Sequence, residues 1–123
     1  EELLQGRRIL VTGAGGSIGA GLCRQIITLE PSELILLGHG ENSIFSIEAE
    51  LRRRLRDHPE DVVRIRSVIA DIRDRHRMKH VCGLFQPQII FHAAAHKHVP
   101  LMEDNVEDAV TNNILGTRNL LEL

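Results

Sequence analysis

The chain has 123 residues, of which 42% are hydrophobic, and a formal net charge of -2, which suits one globular domain and gives no overall attraction to nucleic acid. No apolar run approaches the roughly 20 residues of a membrane helix, and the first residues lack the basic and then apolar pattern of a signal peptide. We therefore expect a soluble cytoplasmic chain, without nucleic acid as a partner and without membrane contact of its own.

The first predicted unit is a strand, a glycine-rich turn and a helix. Residues 9–11 form the apolar run of a buried strand, and apolar residues recur at near-helical spacing from Ile18 to Leu29. Between them, Gly13, Gly16 and Gly19 would permit a tight turn, the close approach of a pyrophosphate, and close packing of the helix on the strand. The helix N-terminus would offer free N–H groups to the phosphates. The pattern predicts a phosphate-binding turn, with a plain glycine-rich corner as the alternative.

Three further strands and three further helices alternate along the rest of the chain. The strands are predicted at residues 34–37, 63–69 and 89–91, and the helices at residues 42–57, from a cap at Asp74 to residue 85, and from about residue 105 to 121. The helix at 42–57 has an inner stripe formed by Ile44, Ile47, Leu51 and Leu55. On its outer face we predict the ion pairs Glu48–Arg52 and Glu50–Arg54.

Four apolar strands that alternate with helices predict an α/β fold, because strands buried on both faces need helices on both sides of a parallel sheet. The glycine motif on the first strand favours the order 3-2-1-4 of a Rossmann-like, doubly wound, three-layer sheet. Since a complete sheet of this kind has about six strands, we interpret residues 1–123 as one truncated domain.

Ligands of such sheets bind at the carboxyl ends of the strands, where the strand order reverses between the first and fourth strands. The stretches at these ends are residues 13–19, 38–42, 71–72 and 93–98. Small alanine side chains would let a dinucleotide lie along the fourth strand end, and Asp71 could accept a hydrogen bond from an adenine amino group.

The second strand end lacks the acidic residue that usually binds the ribose 2′-hydroxyl of NAD, because Gly38 occupies that position. His39, Asn42 and Ser43 could instead supply donors to a 2′-phosphate, which favours NADP over NAD, although Glu41 lies nearby. The alternative is a plain left-handed turn at Gly38 and Gly40.

No metal site is expected from the seven histidines. The groups considered are His76 with His80 on a predicted helix, and His92, His96 and His98 around the fourth strand end. No cysteine or carboxylate completes a tetrahedral set near either group. Cys23 and Cys82 lack a CxxC spacing and suit reduced thiols packed as small hydrophobic residues. The arginines of residues 52–56 indicate a solvated helix face, since acidic neighbours offset their charge.

The stretches VTGAGGSIG at 11–19 and HAAAHKHVPLME at 92–103 resemble the extended short-chain dehydrogenases/reductases. More narrowly, they resemble the nucleotide-sugar 4,6-dehydratases of polysaccharide, capsule and flagellin-glycan biosynthesis that act on UDP-N-acetylglucosamine. Residues 22–26, 70–74 and 112–117 fit the same group. The resemblance implies a tightly held NAD(P)+ that takes a hydride from sugar C4 and returns it to C6 after water has left across C5 and C6.

The resemblance also implies roles by position. Gly13, Gly16, Ser17, Ile18 and Gly19 would hold the pyrophosphate. Residues 38–43, with Gly38, His39, Asn42 and Ser43 named for the site, would hold the adenosine ribose. Asp71 and Ile72 would hold the adenine, and Ala93, Ala94 and Ala95 the nicotinamide-side ribose. Lys97 matches a family lysine near the nicotinamide and the substrate, and Asn113 matches an asparagine on the helix behind the site.

The family's catalytic Asp-Lys pair, its Tyr-x-x-x-Lys motif and its sugar-nucleotide-binding half have no counterpart here, and the chain contains no tyrosine. We expect a chain that binds NAD(P) without turning over a nucleotide sugar, and no catalytic residue within it. A UDP-sugar 4-epimerase fragment and a non-catalytic NAD(P)-binding module remain alternatives. The resemblance leaves open a homo-oligomeric parent and its anchoring to the inner membrane by segments absent from this chain.

Overall fold

The computed structural model describes residues 3–93, in which four strands alternate with three helices. The elements are β1 (Arg8–Thr12), α1 (Ser17–Ile26) with a 3₁₀ turn at Ile27–Leu29, β2 (Glu33–Gly38), α2 (Glu41–Asp57), β3 (Arg64–Ile69), α3 (Arg75–Phe85) and β4 (Ile89–His92). The predicted strands and first three helices are confirmed, with β3 starting one residue later than expected. The helix predicted from about residue 105 lies outside the described residues.

The strands form one parallel sheet in the order β3-β2-β1-β4, as predicted. Leu10 at the centre of β1 is paired with Ile35 of β2 on one side and with Ile90 of β4 on the other. The chain order therefore reverses across β1, and this is the place where a crevice at the carboxyl ends of the strands is expected.

The core has two layers because alternate residues of each strand face opposite sides of the sheet. In β2, Leu34 and Leu36 pack with residues of α1 and α2, whereas Ile35 and Leu37 pack with residues of α3. All four side chains are at most 1% exposed. Burial on both faces explains why this strand is a continuous apolar run, and it confirms the three-layer architecture.

The buried face of α1 differs from the predicted stripe. Its buried residues are Gly19, Ala20, Cys23 and Ile26, while Ile18 is 67% exposed. Small residues face the sheet because α1 packs very close to the end of β1, and this rotates Ile18 toward the carboxyl edge of the sheet. Burial raises the pKa of the Cys23 thiol to about 12, which is the behaviour of a packed, unreactive thiol.

The outer face of α2 makes one of the two predicted ion pairs. Arg52 Nε donates to Glu48 Oε2 at 2.8 Å, and Arg52 Nη2 also donates to the Ile65 carbonyl of β3 at 3.1 Å. The predicted Glu50–Arg54 pair is wrong, because Glu50 instead binds Arg24 of α1 through two hydrogen bonds of 2.6 and 3.1 Å. Two charge-assisted hydrogen bonds between the helices are stronger than a single ion pair along one helix.

Within residues 3–93, no helix combines the length and the hydropathy that crossing a bilayer requires.

Candidate functional site

A cleft of about 310 Å³ lies at the carboxyl edge of the sheet, where the strand order reverses. Residues from all four strand ends contribute to it, and no acidic side chain of the described residues is among them. The lining consists of Gly13, Gly15, Gly16, Ser17, Ile18, Leu37, Gly38, His39, Gly40, Ser43, Ala70, Ile72 and Ala93.

The turn after β1 exposes the N-terminus of α1 to this cleft. Gly13 has a φ of 69°, a left-handed conformation that favours glycine, and its carbonyl accepts a hydrogen bond from the Gly16 N–H at 3.1 Å. Gly16 is the N-cap of α1 and provides no side-chain cap. The N–H groups of the first helical turn, at Ser17 and Ile18, therefore point out of the helix without an intrahelical acceptor, an arrangement suited to an anion.

The glycines of the turn, at positions 13, 16 and 19, differ in how closely other atoms approach them. A Cβ built on Gly19 would lie 2.0 Å from the Gly13 carbonyl oxygen, whereas one built on Gly16 would meet nothing closer than that same oxygen at 3.5 Å. Gly13 therefore makes the tight turn and Gly19 the close helix contact, as the sequence predicted. The contact of Gly16 with a pyrophosphate stays a prediction.

The end of β2 is not a left-handed turn, so that alternative is wrong. Positive φ values among the described glycines occur at Gly6 and Gly13, and Gly40 has a φ of -93°. A Cβ on Gly38 would lie 3.0 Å from Ile44 Cδ1, so close packing of α2 on β2 favours glycine there. Asn42 does not line the cleft.

The end of β3 carries a tightly paired carboxylate. Arg73 Nη2 donates to Asp71 Oδ2 at 2.7 Å, and the Arg73 backbone N–H donates to Oδ1 at 2.9 Å. Hydrogen bonds from the Arg73 side chain, then from its backbone, hold the pKa of Asp71 far below its ordinary value, and the charge of His39 acts in the same direction. Ile72 lines the cleft but Asp71 does not, so its contact with an adenine stays a prediction.

The Asp71–Arg73 pair should make stability depend on pH in the acid range. Because the folded-state pKa of Asp71 is lowered, its contribution is fully present above its unfolded-state pKa of about 4 and is lost as the pH falls from there toward the folded-state value. We expect Asp71→Asn to lower the urea midpoint at neutral pH by a small amount, since the two side chains are 35% and 57% exposed.

The difference in urea midpoint between Asp71→Asn and the unsubstituted chain should become smaller as the pH is lowered below about 4. The control is Asp61→Asn, the same chemical change at a carboxylate without a side-chain hydrogen bond or ion pair among residues 3–93. A midpoint difference for Asp71→Asn that does not change with pH would contradict the assignment.

The end of β4 is fixed against β1 by Thr12, which is fully buried. Its Oγ1 lies 2.8 Å from His92 Nδ1, and its carbonyl accepts a hydrogen bond from the Ala93 N–H at 3.0 Å. These two contacts hold Ala93 at the wall of the cleft.

The cleft brings together nine of the twelve predicted site residues that the structure describes. Those that line it are Gly13, Gly16, Ser17, Ile18, Gly38, His39, Ser43, Ile72 and Ala93; those that lie beside it without lining it are Gly19, Asn42 and Asp71. The remaining predictions, Ala94, Ala95, Lys97 and Asn113, fall outside the described residues. Their roles as cofactor contacts stay predictions.

Four lining residues were not singled out from the sequence: Gly15, Leu37, Gly40 and Ala70. Gly15 lies within the strand-end stretch 13–19, and Gly40 lies within residues 38–43, which the resemblance assigned to the adenosine ribose, so both fell inside predicted stretches without being named for the site. Leu37 and Ala70 are buried and have the pattern of core residues. Their position on the wall of the cleft could therefore not be inferred from sequence. As for metals, residues 3–93 contain no group of three His, Cys, Asp or Glu side chains arranged to hold an ion.

Comparison with known proteins assigns the family. A sequence profile described as polysaccharide biosynthesis protein matches residues 9–123. The probable polysaccharide biosynthesis protein EpsC of Bacillus subtilis is 53% identical over 119 residues, and the capsular polysaccharide biosynthesis protein CapD of Staphylococcus aureus is 52% identical over 119 residues. Each alignment covers 97% of this chain and 19% of the relative. The chain thus spans about one fifth of the length of these two proteins.

A more distant relative is the UDP-N-acetylglucosamine 4,6-dehydratase (inverting) of Campylobacter jejuni, 26% identical over 121 residues, with 98% of this chain and 33% of the relative covered. Among solved structures, the UDP-glucose-4-epimerase of Stenotrophomonas maltophila, crystallised with bound NAD and formylated UDP-arabinopyranose, has a TM-score of 0.61 and 27% identity over 94% of this chain and 32% of that chain.

A short-chain type dehydrogenase/reductase from Mycobacterium ulcerans has a TM-score of 0.64 over 97% of this chain and 45% of that chain, at 19% identity, and shares the fold. The Rossmann-like sheet and the profile match over most of the sequence lead to one conclusion: this chain belongs to the polysaccharide biosynthesis protein family.

Proposed function

We propose that the cleft binds NAD(P), and that the chain is the cofactor-binding part of a nucleotide-sugar 4,6-dehydratase of the UDP-N-acetylglucosamine type in polysaccharide or capsule biosynthesis. The observation that carries this proposal is the uncapped N-terminus of α1, which opens onto a cleft where residues 3–93 contribute no acidic side chain to the lining. Such a helix end attracts a pyrophosphate through its free N–H groups and its dipole. The names of the dehydratase and capsule relatives support the substrate class.

The residues of the cleft fit the parts of a dinucleotide. Gly16 is the N-cap of α1 and carries no side chain that could compete with a pyrophosphate for the helix end. Ala70 and Ile72 provide apolar surface for an adenine ring at the end of β3. Bound NAD(P)+ would supply a hydride acceptor, and the role of this chain is to bind the cofactor and hold its orientation.

Calorimetric titration of the 123-residue chain with NADP and with NAD tests the proposal. We expect saturable binding of one dinucleotide per chain, in competition with ADP-ribose, which carries the same adenosine and pyrophosphate. Failure of both dinucleotides to bind would overturn the proposed function.

We further propose that the site prefers NADP. Gly38, the last residue of β2, occupies the position where an acid would bind the ribose hydroxyls of NAD, and His39 lines the same cleft. The Ser43 hydroxyl donates to the Gly40 carbonyl at 3.0 Å, so its proton is already engaged within the protein. A tighter dissociation constant for NAD than for NADP would contradict this preference.

Installing a carboxylate at Gly38 should reverse the preference. A Cβ there would lie 3.0 Å from Ile44 Cδ1, so the test uses Gly38→Asp together with Ile44→Val, which removes that atom. We expect NADP binding to weaken about tenfold through repulsion between the carboxylate and the 2′-phosphate, with NAD binding retained. The control is Gly38→Asn with Ile44→Val, which is matched in size and uncharged. Equal losses for NAD and NADP would mean that packing, rather than charge, is responsible.

A UDP-sugar 4-epimerase is the second candidate, favoured by the likeness to the Stenotrophomonas epimerase structure. Incubation of the full-length protein with UDP-N-acetylglucosamine separates the two activities. A dehydratase yields a 4-keto-6-deoxy sugar lighter by one water, an epimerase yields an isomer of unchanged mass, and a non-catalytic module leaves the sugar unchanged.

A further inference from the structure

Ser43 occupies the space between the glycine-rich turn and the loop that follows β2. A Cβ built on Gly15 would lie 2.5 Å from Ser43 Oγ and 2.8 Å from Ser43 Cβ. A Cβ built on Gly40 would lie 2.8 Å from the same Oγ. These separations leave no room for a methyl group, so both glycines sit directly against the Ser43 side chain.

The Ser43 side chain is held in this place by α2. Its hydroxyl donates to the Gly40 carbonyl at 3.0 Å, and the same carbonyl accepts the Ile44 N–H at 3.0 Å as the first hydrogen bond of the helix. The glycine-rich turn has an independent anchor, because the Ala14 N–H donates to the Leu37 carbonyl at 3.1 Å. The turn is therefore fixed to β2 by a hydrogen bond and is in contact with α2 through Ser43.

We propose that Ser43 is a positioning residue that sets the separation between the glycine-rich turn and the N-terminus of α2. The inference rests on the proposed function, in which the turn binds the pyrophosphate and the β2–α2 loop binds the adenosine ribose. These two parts of a dinucleotide are joined covalently, so both loops can engage them only at one separation. That separation leaves space for only a glycine at position 15 and for a side chain no larger than serine at position 43.

Paired substitutions test the contact. Gly15→Ala should weaken binding of the preferred dinucleotide about tenfold, because the new methyl group pushes the turn away from α2. Adding Ser43→Gly removes the two side-chain atoms that lie within 3 Å of the methyl group and leaves the Ser43 backbone carbon at 3.2 Å. The double variant should therefore bind within about threefold of the Ser43→Gly single variant. Adding Ser43→Ala removes Oγ but keeps Cβ, so its restoration should be intermediate.

Two further measurements separate positioning from general damage. Adenosine reaches the ends of β2 and β3 without the pyrophosphate, so its affinity, followed by NMR titration, should stay within about twofold in Gly15→Ala if the loops themselves are intact. Gly21→Ala is the matched control, since a Cβ on Gly21 meets nothing within 4 Å. It should leave both affinities unchanged.

The outcomes are distinguishable. Equal losses of dinucleotide and adenosine affinity in Gly15→Ala, or no restoration by Ser43→Gly, would overturn the positioning role. Should the unsubstituted chain bind neither NADP nor NAD, the proposed function fails, and the contact is then judged from thermal unfolding. In that case Gly15→Ala should lower the unfolding temperature by more in the unsubstituted chain than in the Ser43→Gly background; an equal loss in both backgrounds would overturn the contact as well.

Discussion

Replacing Gly19 by alanine is expected to destabilise the chain by about 3 kcal/mol or more. The new Cβ would lie 2.0 Å from the Gly13 carbonyl oxygen, 2.7 Å from the Gly13 carbonyl carbon and 2.9 Å from Ala14 Cα. These are backbone atoms of the turn after β1, so no side-chain rotation can relieve the overlap. Either α1 must move off the sheet, which uncovers buried residues such as Cys23, or the turn must change its conformation. Urea unfolding monitored by circular dichroism measures the loss.

Gly21→Ala makes the same chemical change two residues further along α1, where a Cβ meets nothing within 4 Å. Alanine has the higher helix propensity, so this variant should be unchanged or more stable by up to about 1 kcal/mol. Equal stabilities of the Gly19 and Gly21 variants would mean that α1 can shift away from β1 at little cost, which would contradict the close packing described for this helix.

Replacing Gly16 by aspartate is expected to weaken NAD(P) binding about a hundredfold, ~2.8 kcal/mol, while leaving stability unchanged. Gly16 has φ of -80° and ψ of 172°, a conformation open to any residue, and its Cβ would be in ordinary contact with its nearest neighbour at 3.5 Å. Aspartate is also a favourable N-cap. The carboxylate would therefore satisfy the free N–H groups of α1 itself and would repel the pyrophosphate that we propose they bind.

Gly16→Asn is the control, because asparagine is nearly the same size and caps a helix equally well but carries no charge. Binding in the asparagine variant should be weakened less than in the aspartate variant, and the gap between them should narrow at high salt. If both variants lose affinity equally, space rather than charge governs this position. If neither does, the N-terminus of α1 is not the pyrophosphate site.

The sheet could be predicted from sequence because its signal is local. The four central residues of β2 are apolar since they are buried on both faces, and the spacing of Gly13, Gly16 and Gly19 specifies a turn and a close contact that both occur. With the strands identified, handedness and the position of the glycine motif were enough to predict the order β3-β2-β1-β4. The same reasoning placed the cleft at the reversal beside β1.

Features that depend on distant residues could not be predicted. Glu50 pairs with Arg24 rather than Arg54 because α1 and α2 lie side by side, which no spacing along α2 reveals. Ile18 has the spacing of a core residue, yet it faces the cleft because the small residues after it draw α1 toward the sheet. At Gly38, sequence reasoning considered charge and turn geometry and missed the proximity of Ile44.

The contact of Arg52 with β3 affects whether the edge of the sheet can pair with a strand of another copy of the chain. The N–H groups of Arg64 and Ala70 donate to the β2 side, so by the alternation of a strand the Ile65 carbonyl is directed to the other side, which is the open edge of the sheet within residues 3–93. Arg52 Nη2 already donates to that carbonyl at 3.1 Å, while Arg66 of the same strand is paired with Glu33 at 3.1 Å. A strand from another copy would have to displace the Arg52 guanidinium from the Ile65 carbonyl before it could pair there, which disfavours intermolecular β-pairing at this position of the edge.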